Sequence, residues 1–423
     1  MQLPWITSRE RNTELLLLTG AAAFAVLGWR ALDQSGFAMP EGDQRILSQF
    51  LLAGLAGHVG LRIVAAEAAG QPYAIALLLT AIGLVFATRL VPGLAQDQVN
   101  WATFGIVSMV VAAAASRWYE RLSAYTYTAA LIAILLLAGT GIFGETINGA
   151  RLWVVIAGQT IQTTELIKLF VIVFLAGFLA NQGEVLSFPR FEFGNRTYSA
   201  LPYVLPLAAT LLVAVMALAL LKDLGSVALL LLLSVAALYV ATGRLRFVIG
   251  GVVLLGLVSL GGYYAFDHAQ LRIDTWLDPY ADADGAGYQT LQSSYAIQAG
   301  GVTGEGIGLG EPEAIPAVAT DYVFSAIGEE MGLAGAFGVI LLYTLLVTSS
   351  LRASLAAPDQ FGRLLCACVA LLIGIQAAVI IAGNLRLIPT TGITLPFVSY
   401  GESSLVVNFA LLGLVLGVSG QRR

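Results

Sequence analysis

Twelve apolar stretches, each about as long as a bilayer is thick, constrain this chain before any motif is read. They cover residues 15–31, 46–65, 73–91, 101–115, 125–144, 166–180, 203–221, 226–242, 246–266, 322–347, 362–382 and 403–419. A helix rises about 1.5 Å per residue, so roughly 20 apolar residues cross a hydrocarbon core about 30 Å thick. Backbone in lipid must satisfy its own hydrogen bonds, and runs of this length do so as helices. The seventh and eighth stretches are nearly continuous. As one helix, 203–242 would reach about 60 Å, twice the core. The polar interruption LKDLG at 221–225 therefore marks the turn of a helical hairpin.

Composition agrees. Only 11% of the 423 residues are charged, 58% are hydrophobic, and the mean hydropathy is +0.84. A soluble globular chain carries about 25% charged residues. The expected fold is an all-α polytopic membrane bundle of about 12 transmembrane helices. Arg9 and Arg11 precede the first run, and no small-x-small cleavage pattern follows it, so that run is expected to be a span of the mature protein. Cys366 and Cys368 lie inside an apolar run with no second Cys or His pair nearby, and read as buried thiols. His58 and His268 are far apart in sequence and indicate no metal cluster.

Basic residues set the sidedness. With a cytoplasmic N-terminus, the inner segments hold Arg9, Arg11, Arg62, Arg117, Arg121, Arg190, Arg196, Arg244, Arg246, Arg352, Arg363, Arg422 and Arg423. That is 13 of the 21 Lys and Arg; the outer segments hold seven, and Lys168 falls within a span. Both termini are thus expected in the cytoplasm. The one large loop, about 267–320, is then extracytoplasmic. It carries Asp267, Asp274, Asp278, Asp282, Asp284, Glu305, Glu311 and Glu313 against a single basic residue, Arg272. Its glycine-rich run GGVTGEGIGLGEP lacks a β-α-β context, which argues against a nucleotide-phosphate loop. Its length favours a functional cap over a mere connector. No internal repeat is visible, which weakens a transporter of the inverted-repeat kind.

Ionisable groups in or beside spans are costly and so are functional candidates. Glu165 and Lys168, three apart, share a helix face; the alternative is a structural pair that locks the bundle. Lys222 and Asp223 fill the hairpin turn, Arg151 precedes span six, Arg386 ends span eleven and Glu402 opens span twelve. Asp321, Glu329 and Glu330 belong to the start of span ten. Most of these fall at the outer level, where Arg and Lys can hold a phosphate and a carboxylate can act as a base or hold a divalent cation. Pro396 and Gly401 interrupt helix before the last span, beside the hydroxyls of Ser399, Tyr400, Ser403 and Ser404. Irregular backbone at membrane depth is tolerated where it is buried or lines a polar cavity. The alternatives are structural: a re-entrant turn with a serine N-cap for span twelve, and an N-cap worth about 1 kcal/mol at Asp321.

Several segments together resemble one family. GITLPFVSYGESSLV is similar to the P-x-x-S-Y-G-G-S-S signature of the RodA/FtsW/SpoVE (SEDS) proteins of cell shape, elongation, division and sporulation. GARLWVVIAGQTIQTTELIKL resembles its G-A-R-R-W and Q-P-S-E-x-x-K segment, and LKDLGSVALL its Q-P-D-L-G-T turn. YQTLQSSYAIQAGG through IPAVATDYVFSAIGEEMGLAG resembles its large outer loop and following helix. The likeness runs from about Asn148 to the C-terminus, and the GNLRLIPTTGITLPF wording is closer to RodA-type members. Departures are Leu152, Thr163, Thr164, Leu221 and Lys222, and above all Glu402 in place of a glycine.

The resemblance implies a peptidoglycan glycosyltransferase of the bacterial plasma membrane. It would polymerise lipid II, a polyprenyl-diphosphate-linked disaccharide, alongside a class B penicillin-binding protein and other members of a cell-wall synthesis complex. Nucleic acid is not an expected partner. The family's essential aspartate matches Asp321, which is the expected catalytic residue. Arg151, Lys222 and Arg386 are candidate diphosphate holders. Glu165, Lys168, Asp223, Gln289, Gln292, Ser399, Tyr400, Ser403 and Ser404 complete the expected substrate contacts. No cofactor is certain; a divalent cation, Mg or Mn, stays open. Two rivals remain, a flippase or transporter of the same amphiphile and a non-catalytic scaffold for a transpeptidase. Residues 1–100 are read as N-terminal spans that include two extra helices, and 101–423 as the SEDS-like core.

Overall fold

The computed structural model describes residues 9–147, 150–156, 158–187, 190–193, 196–199 and 201–421. Asn148, Arg422 and Arg423, used above, lie outside the described residues.

Each expected span is a helix. The first six are α1 (Arg9–Gln34), α2 (Asp43–Val64), α3 (Gln71–Leu90), α4 (Ala95–Ala115), α5 (Thr126–Phe143) and α6 (Thr163–Ser187). Then follow α7 (Leu201–Leu220), α8 (Leu224–Thr242) and α9 (Leu245–Ala265). After the loop helices α10 (Asp267–Leu277) and α11 (Tyr288–Ala299) come α12 (Val323–Leu355), α13 (Gln360–Asn384) and α14 (Glu402–Ser419). By length and hydropathy there are ten candidate membrane spans among the described residues. One of them, 92–143, is α4 and α5 joined by the 3-10 segment Ser116–Tyr125, and α7 adds a shorter apolar helix. The chain is a multi-pass membrane protein. The hairpin turn lies where the charges interrupt the apolar run: Lys222 takes a left-handed φ of 65°, and Asp223 Oδ1 accepts from Ser226 N at 2.9 Å to cap α8.

One feature departs from an all-helical reading. The segment before α6 forms a small antiparallel sheet of β1 (Glu145–Ile147), β2 (Ala150–Ile156) and β3 (Gln159–Gln162). A hairpin of β4 (Arg190–Phe193) and β5 (Arg196–Ser199) joins α6 to α7. Both lie in connections, where hydropathy carries no span signal.

In the interior, α13 packs on α12, α6 and α8, and α14 packs on α4. The α4–α14 contact depends on small residues: a Cβ at Gly413 would collide with Met109 O, and one at Gly417 with Ser116 Oγ. Close backbone approach of this kind drives helix association where lipid tails are as apolar as leucine. The first two helices dock on this core, α1 against α3 and α2 against α4. By contrast, α9 buries no residue and leans on α8 and α10.

The long loop is ordered by a break in α12. Gly332, at φ 64°, interrupts that helix, and the loop strand satisfies the freed groups: Leu333 N donates to Gly301 O at 3.0 Å and Ala334 N to Val302 O at 3.2 Å. Two acids of the AIGEEMG segment hold this arrangement. Glu330 accepts from Arg89 Nε and from Gly308 N, both at 3.0 Å, and Glu329 accepts from Glu311 N at 2.8 Å. Arg89 also pairs with Glu313. Glu329 and Glu330 therefore pin the loop to the bundle, and this fixes the residues just ahead of them.

Candidate functional site

Asp321 sits at the end of the loop, two residues before α12. Its N–H donates to Ala317 O at 3.0 Å, across a turn in which Ala317 takes φ 53°. Three further bonds strap the same stretch from α13 and the chain entering α14. Asn384 Nδ2 donates to Asp321 O at 2.9 Å, Ser399 Oγ to Thr320 O at 2.6 Å, and Tyr400 N to Ala319 O at 2.9 Å. The N-cap of α12 is Tyr322, with no side-chain capping bond, so the Asp321 carboxylate is not the helix cap. Burial raises the Asp321 pKa above the ordinary carboxylate range, opposed by a Thr320 hydrogen bond and the charge of Arg272.

That half-buried carboxylate lines a cavity of about 300 Å³. The β-sheet supplies Trp153, Thr160 and Gln162, the α7–α8 turn Lys222 and Asp223, and the α14 entry Tyr400, Glu402 and Ser403. Ser403 Oγ accepts from Gln162 N at 3.0 Å and so joins the sheet to α14. Here too the capping alternative is set aside: the N-cap of α14 is Gly401, with no side-chain bond, and Ser403 and Ser404 bond elsewhere. Ser404 Oγ accepts from Thr394 Oγ1 at 2.8 Å, and Ser399 Oγ accepts from Leu395 N at 2.9 Å. Tyr400 Oη donates to Glu402 Oε1 at 3.2 Å. Asp223 is buried, and burial raises its pKa against the opposing Ser226 bond and Lys168 charge.

A second cavity, of about 190 Å³, adjoins the first, and Asp321 lines both. Gln289 and Arg386 border this second space. Gln289 Nε2 donates to Pro316 O at 2.7 Å. Arg386 takes φ 56° and donates through Nε to Trp276 O and through Nη2 to Leu277 O, both at 3.1 Å.

Six expected residues line neither space, and two of them, Ser399 and Ser404, instead hold the backbone and Thr394 behind the wall. Arg151 is exposed on β2 and donates to Gly141 O at 2.9 Å. Gln292 is half-buried on α11. Glu165 and Lys168 form a buried ion pair at 2.7 Å. Lys168 Nζ also donates to Gln376 Oε1 at 3.0 Å, and Gln376 Nε2 to Thr394 O at 2.7 Å. The pair thus acts on the cavity wall through Gln376.

Arg272 is not among the expected residues, yet it lines both cavities. It projects from α10, where Nη1 donates to Thr391 O at 2.8 Å and Thr390 O at 3.2 Å. Gly392, at φ 70°, leaves open the point where the walls meet. A Cβ there would stand 3.2 Å from Arg272 Nη2 and 3.7 Å from Asp321 Oδ2. The sequence did hold a sign of this residue, since Arg272 is the lone cation of an acidic loop. Asp223, Asp321 and Glu402 share a cavity, yet among the described residues no three His, Cys, Asp or Glu side chains converge on one point as a metal site would require.

Comparison with known proteins gives the family. Residues 71–423 match the family FTSW_RODA_SPOVE, described as "Cell cycle protein". "Peptidoglycan glycosyltransferase RodA" of Mycobacterium tuberculosis is 34% identical over 433 residues, covering 98% of this chain and 91% of that protein. "Stage V sporulation protein E" of Bacillus subtilis is 31% identical, covering 78% and 87%. Among solved structures, a chain described under "Structural coordination of polymerization and crosslinking by a peptidoglycan synthase complex" superposes with a TM-score of 0.66 at 32% identity. It covers 82% of this chain and 96% of that one. The Rod shape determining protein RodA of Thermus thermophilus gives 0.60 at 27% identity, covering 82% and 95%.

Proposed function

The chain belongs to the FtsW/RodA/SpoVE family of cell cycle proteins, and from that premise we propose that it is a peptidoglycan glycosyltransferase that polymerises lipid II. The carrying observation is Asp321, a half-buried carboxylate strapped by its backbone into the wall of a polar cavity and faced by Arg272. Glycosyl transfer to a hydroxyl needs a base and a cation for the leaving diphosphate. Asp321 takes the proton of the acceptor hydroxyl. The freed oxygen attacks the anomeric carbon, and the C–O bond to the diphosphate breaks with its electron pair leaving on phosphate. A carboxylate whose pKa is raised by burial is a better base for this step than an ordinary one.

The site end of the bundle faces outward in this reading, with both termini in the cytoplasm. The arginine asymmetry supports that orientation. A reporter fused to either terminus is then cytoplasmic, and one inserted at Ala286 external. The partner is a transpeptidase of the class B penicillin-binding type; the likeness to a chain of a peptidoglycan synthase complex that coordinates polymerization and crosslinking supports this. Residues 1–100 carry the N-terminal spans and 101–423 the SEDS-like core; α1 and α2 precede the family match, which starts at residue 71.

A flippase would need a polar path through the bundle. Below the hairpin turn lies a pocket of about 30 Å³ whose wall is mainly leucine, isoleucine and valine, which favours the enzyme. The test is direct: purified protein is incubated with lipid II, and glycan polymer is resolved by gel. Polymer from the parent and none from Asp321→Asn supports the reading. No polymer from a folded parent overturns it.

A further inference from the structure

Asp321, Arg272 and Gly392 are shared by two polar chambers whose formal charges have opposite sign. The smaller is bordered by Arg272 and Arg386 against Asp321, a balance of one positive charge. The larger is bordered by Lys222 and Arg272 against Asp223, Asp321 and Glu402, a balance of one negative charge. Among the described residues, neither Arg272 nor Arg386 forms an ion pair within 4.0 Å. The hydrogen bonds found for both go to backbone carbonyls, which hold the guanidinium groups without neutralising them. Arg386 is further fixed by the return bond from Trp276 Nε1 to its carbonyl at 3.0 Å.

The larger chamber differs in its negative balance and in the number of its acids. It presents neutral hydroxyls and amides, such as Thr160, Gln162, Tyr400 and Ser403, and the indole of Trp153. Asp223 Oδ2, on the same wall, is buried without a hydrogen-bond partner. A buried carboxylate oxygen left unmatched is costly, and a donated hydroxyl would satisfy it. Sugars carry such hydroxyls; a diphosphate carries only acceptors and negative charge.

We propose that the chambers divide the reaction, with the diphosphate of the glycosyl donor in the smaller one and the hydroxyl-bearing acceptor sugar in the larger one. This rests on the glycosyltransferase reading above. Asp321 then stands in the wall between them, where a base must stand to reach the acceptor proton while the anomeric carbon is close by. Gly392 keeps the passage open, and Arg272 spans both sides, able to follow charge from the sugar oxygen onto the leaving diphosphate. An apolar cleft of about 280 Å³ between α8, α9 and α10 shares Arg272, Ile388 and Thr390 with the smaller chamber, so an isoprenoid chain attached to the diphosphate has apolar wall beside it.

Two steric variants test the assignment in full-length protein purified in detergent. Thr275→Phe fills the smaller chamber and Thr160→Phe the larger, with folding of each checked by its melting temperature. The probes are farnesyl diphosphate, which carries no sugar, and the methyl β-glycoside of di-N-acetylchitobiose, which carries no phosphate. Thr275→Phe should weaken farnesyl diphosphate by about tenfold or more, close to 1.4 kcal/mol, and leave the glycoside within about twofold. Thr160→Phe should do the reverse. Arg386→Gln supplies a charge-only control for the smaller chamber and should weaken the diphosphate probe alone. A reversed pattern, equal loss of both probes in both variants, or a polymerising parent that binds no farnesyl diphosphate overturns the proposal. A parent that shows the predicted pattern but makes no polymer would instead overturn the functional reading and leave the chamber assignment standing.

Discussion

Exchanging Asp321 for Asn separates a chemical role from a structural one, because the two make opposite demands on stability. Asn keeps the size of the side chain and all the backbone bonds that strap this stretch, those to Ala317 and from Asn384 included. No cap is lost, since the carboxylate caps nothing, and no ion pair within 4.0 Å is broken among the described residues. Burial raises the pKa of Asp321 in the folded protein. The folded state then binds the proton more tightly than the unfolded chain, so stability falls as pH rises from the unfolded pKa through the folded one. At neutral pH the ionised group is a net cost that Asn removes. The variant should melt at or slightly above the parent temperature. Loss of a positioned base lowers the rate by about 10²- to 10⁴-fold. At about 1.4 kcal/mol per decade, that raises the barrier by roughly 3–5.5 kcal/mol. The assay pairs a melting curve with the rate of polymer formation from fluorescent lipid II. The parent rate should rise with pH through a midpoint above the ordinary carboxylate value. Polymerisation by the variant within about tenfold of the parent would refute the role, as would an activity loss that merely tracks a fall in melting temperature.

Other expectations follow from neighbouring groups. Glu165→Leu or Lys168→Leu alone leaves an uncompensated buried charge, at about 3–5 kcal/mol, so folded yield should fall, and the double change should recover part of it. Normal yield with lost activity in both single variants would instead place the pair in the reaction. Glu402→Gly removes an anion from the larger chamber and should leave the polymerisation rate equal to or above the parent's; abolished activity would show that the carboxylate has been recruited. Gly392→Ala places a Cβ 3.2 Å from Arg272 Nη2 at φ 70°, and should cost about 1 kcal/mol of stability together with a several-fold loss of rate; an unchanged rate would mean Arg272 is not held where it matters.

Much of the candidate cavity's lining was legible because costly residues advertise themselves. Asp321, Lys222, Asp223, Tyr400, Glu402 and Ser403 stand at breaks in apolar runs, and they line one cavity. The same reasoning also drew in Arg151 and the Glu165–Lys168 pair, which share a level with the cavity without lining it. Level along the bilayer normal follows from position within an apolar run; direction around the bundle axis does not. Glu329 and Glu330 show the same limit. Their cost was visible in AIGEEMG, but their use, holding Gly308 and Glu311 against a broken helix, needed a loop folded back upon it.

By itself the sequence determined the apolar helices, the hairpin turn at 221–225 and the long loop at about 267–320, because each depends on local apolar length and the cost of charge in lipid. It also carried the motif order that marks the family. Only the tertiary structure decided which residues meet. Arg272 reaches Thr391 across 119 positions of chain, and Asn384 and Ser399 hold the Asp321 stretch from two other elements. Such meetings depend on which helix packs beside which. In a bilayer that choice turns on small-residue contacts like Gly413 against Met109, since hydropathy is nearly the same on every side.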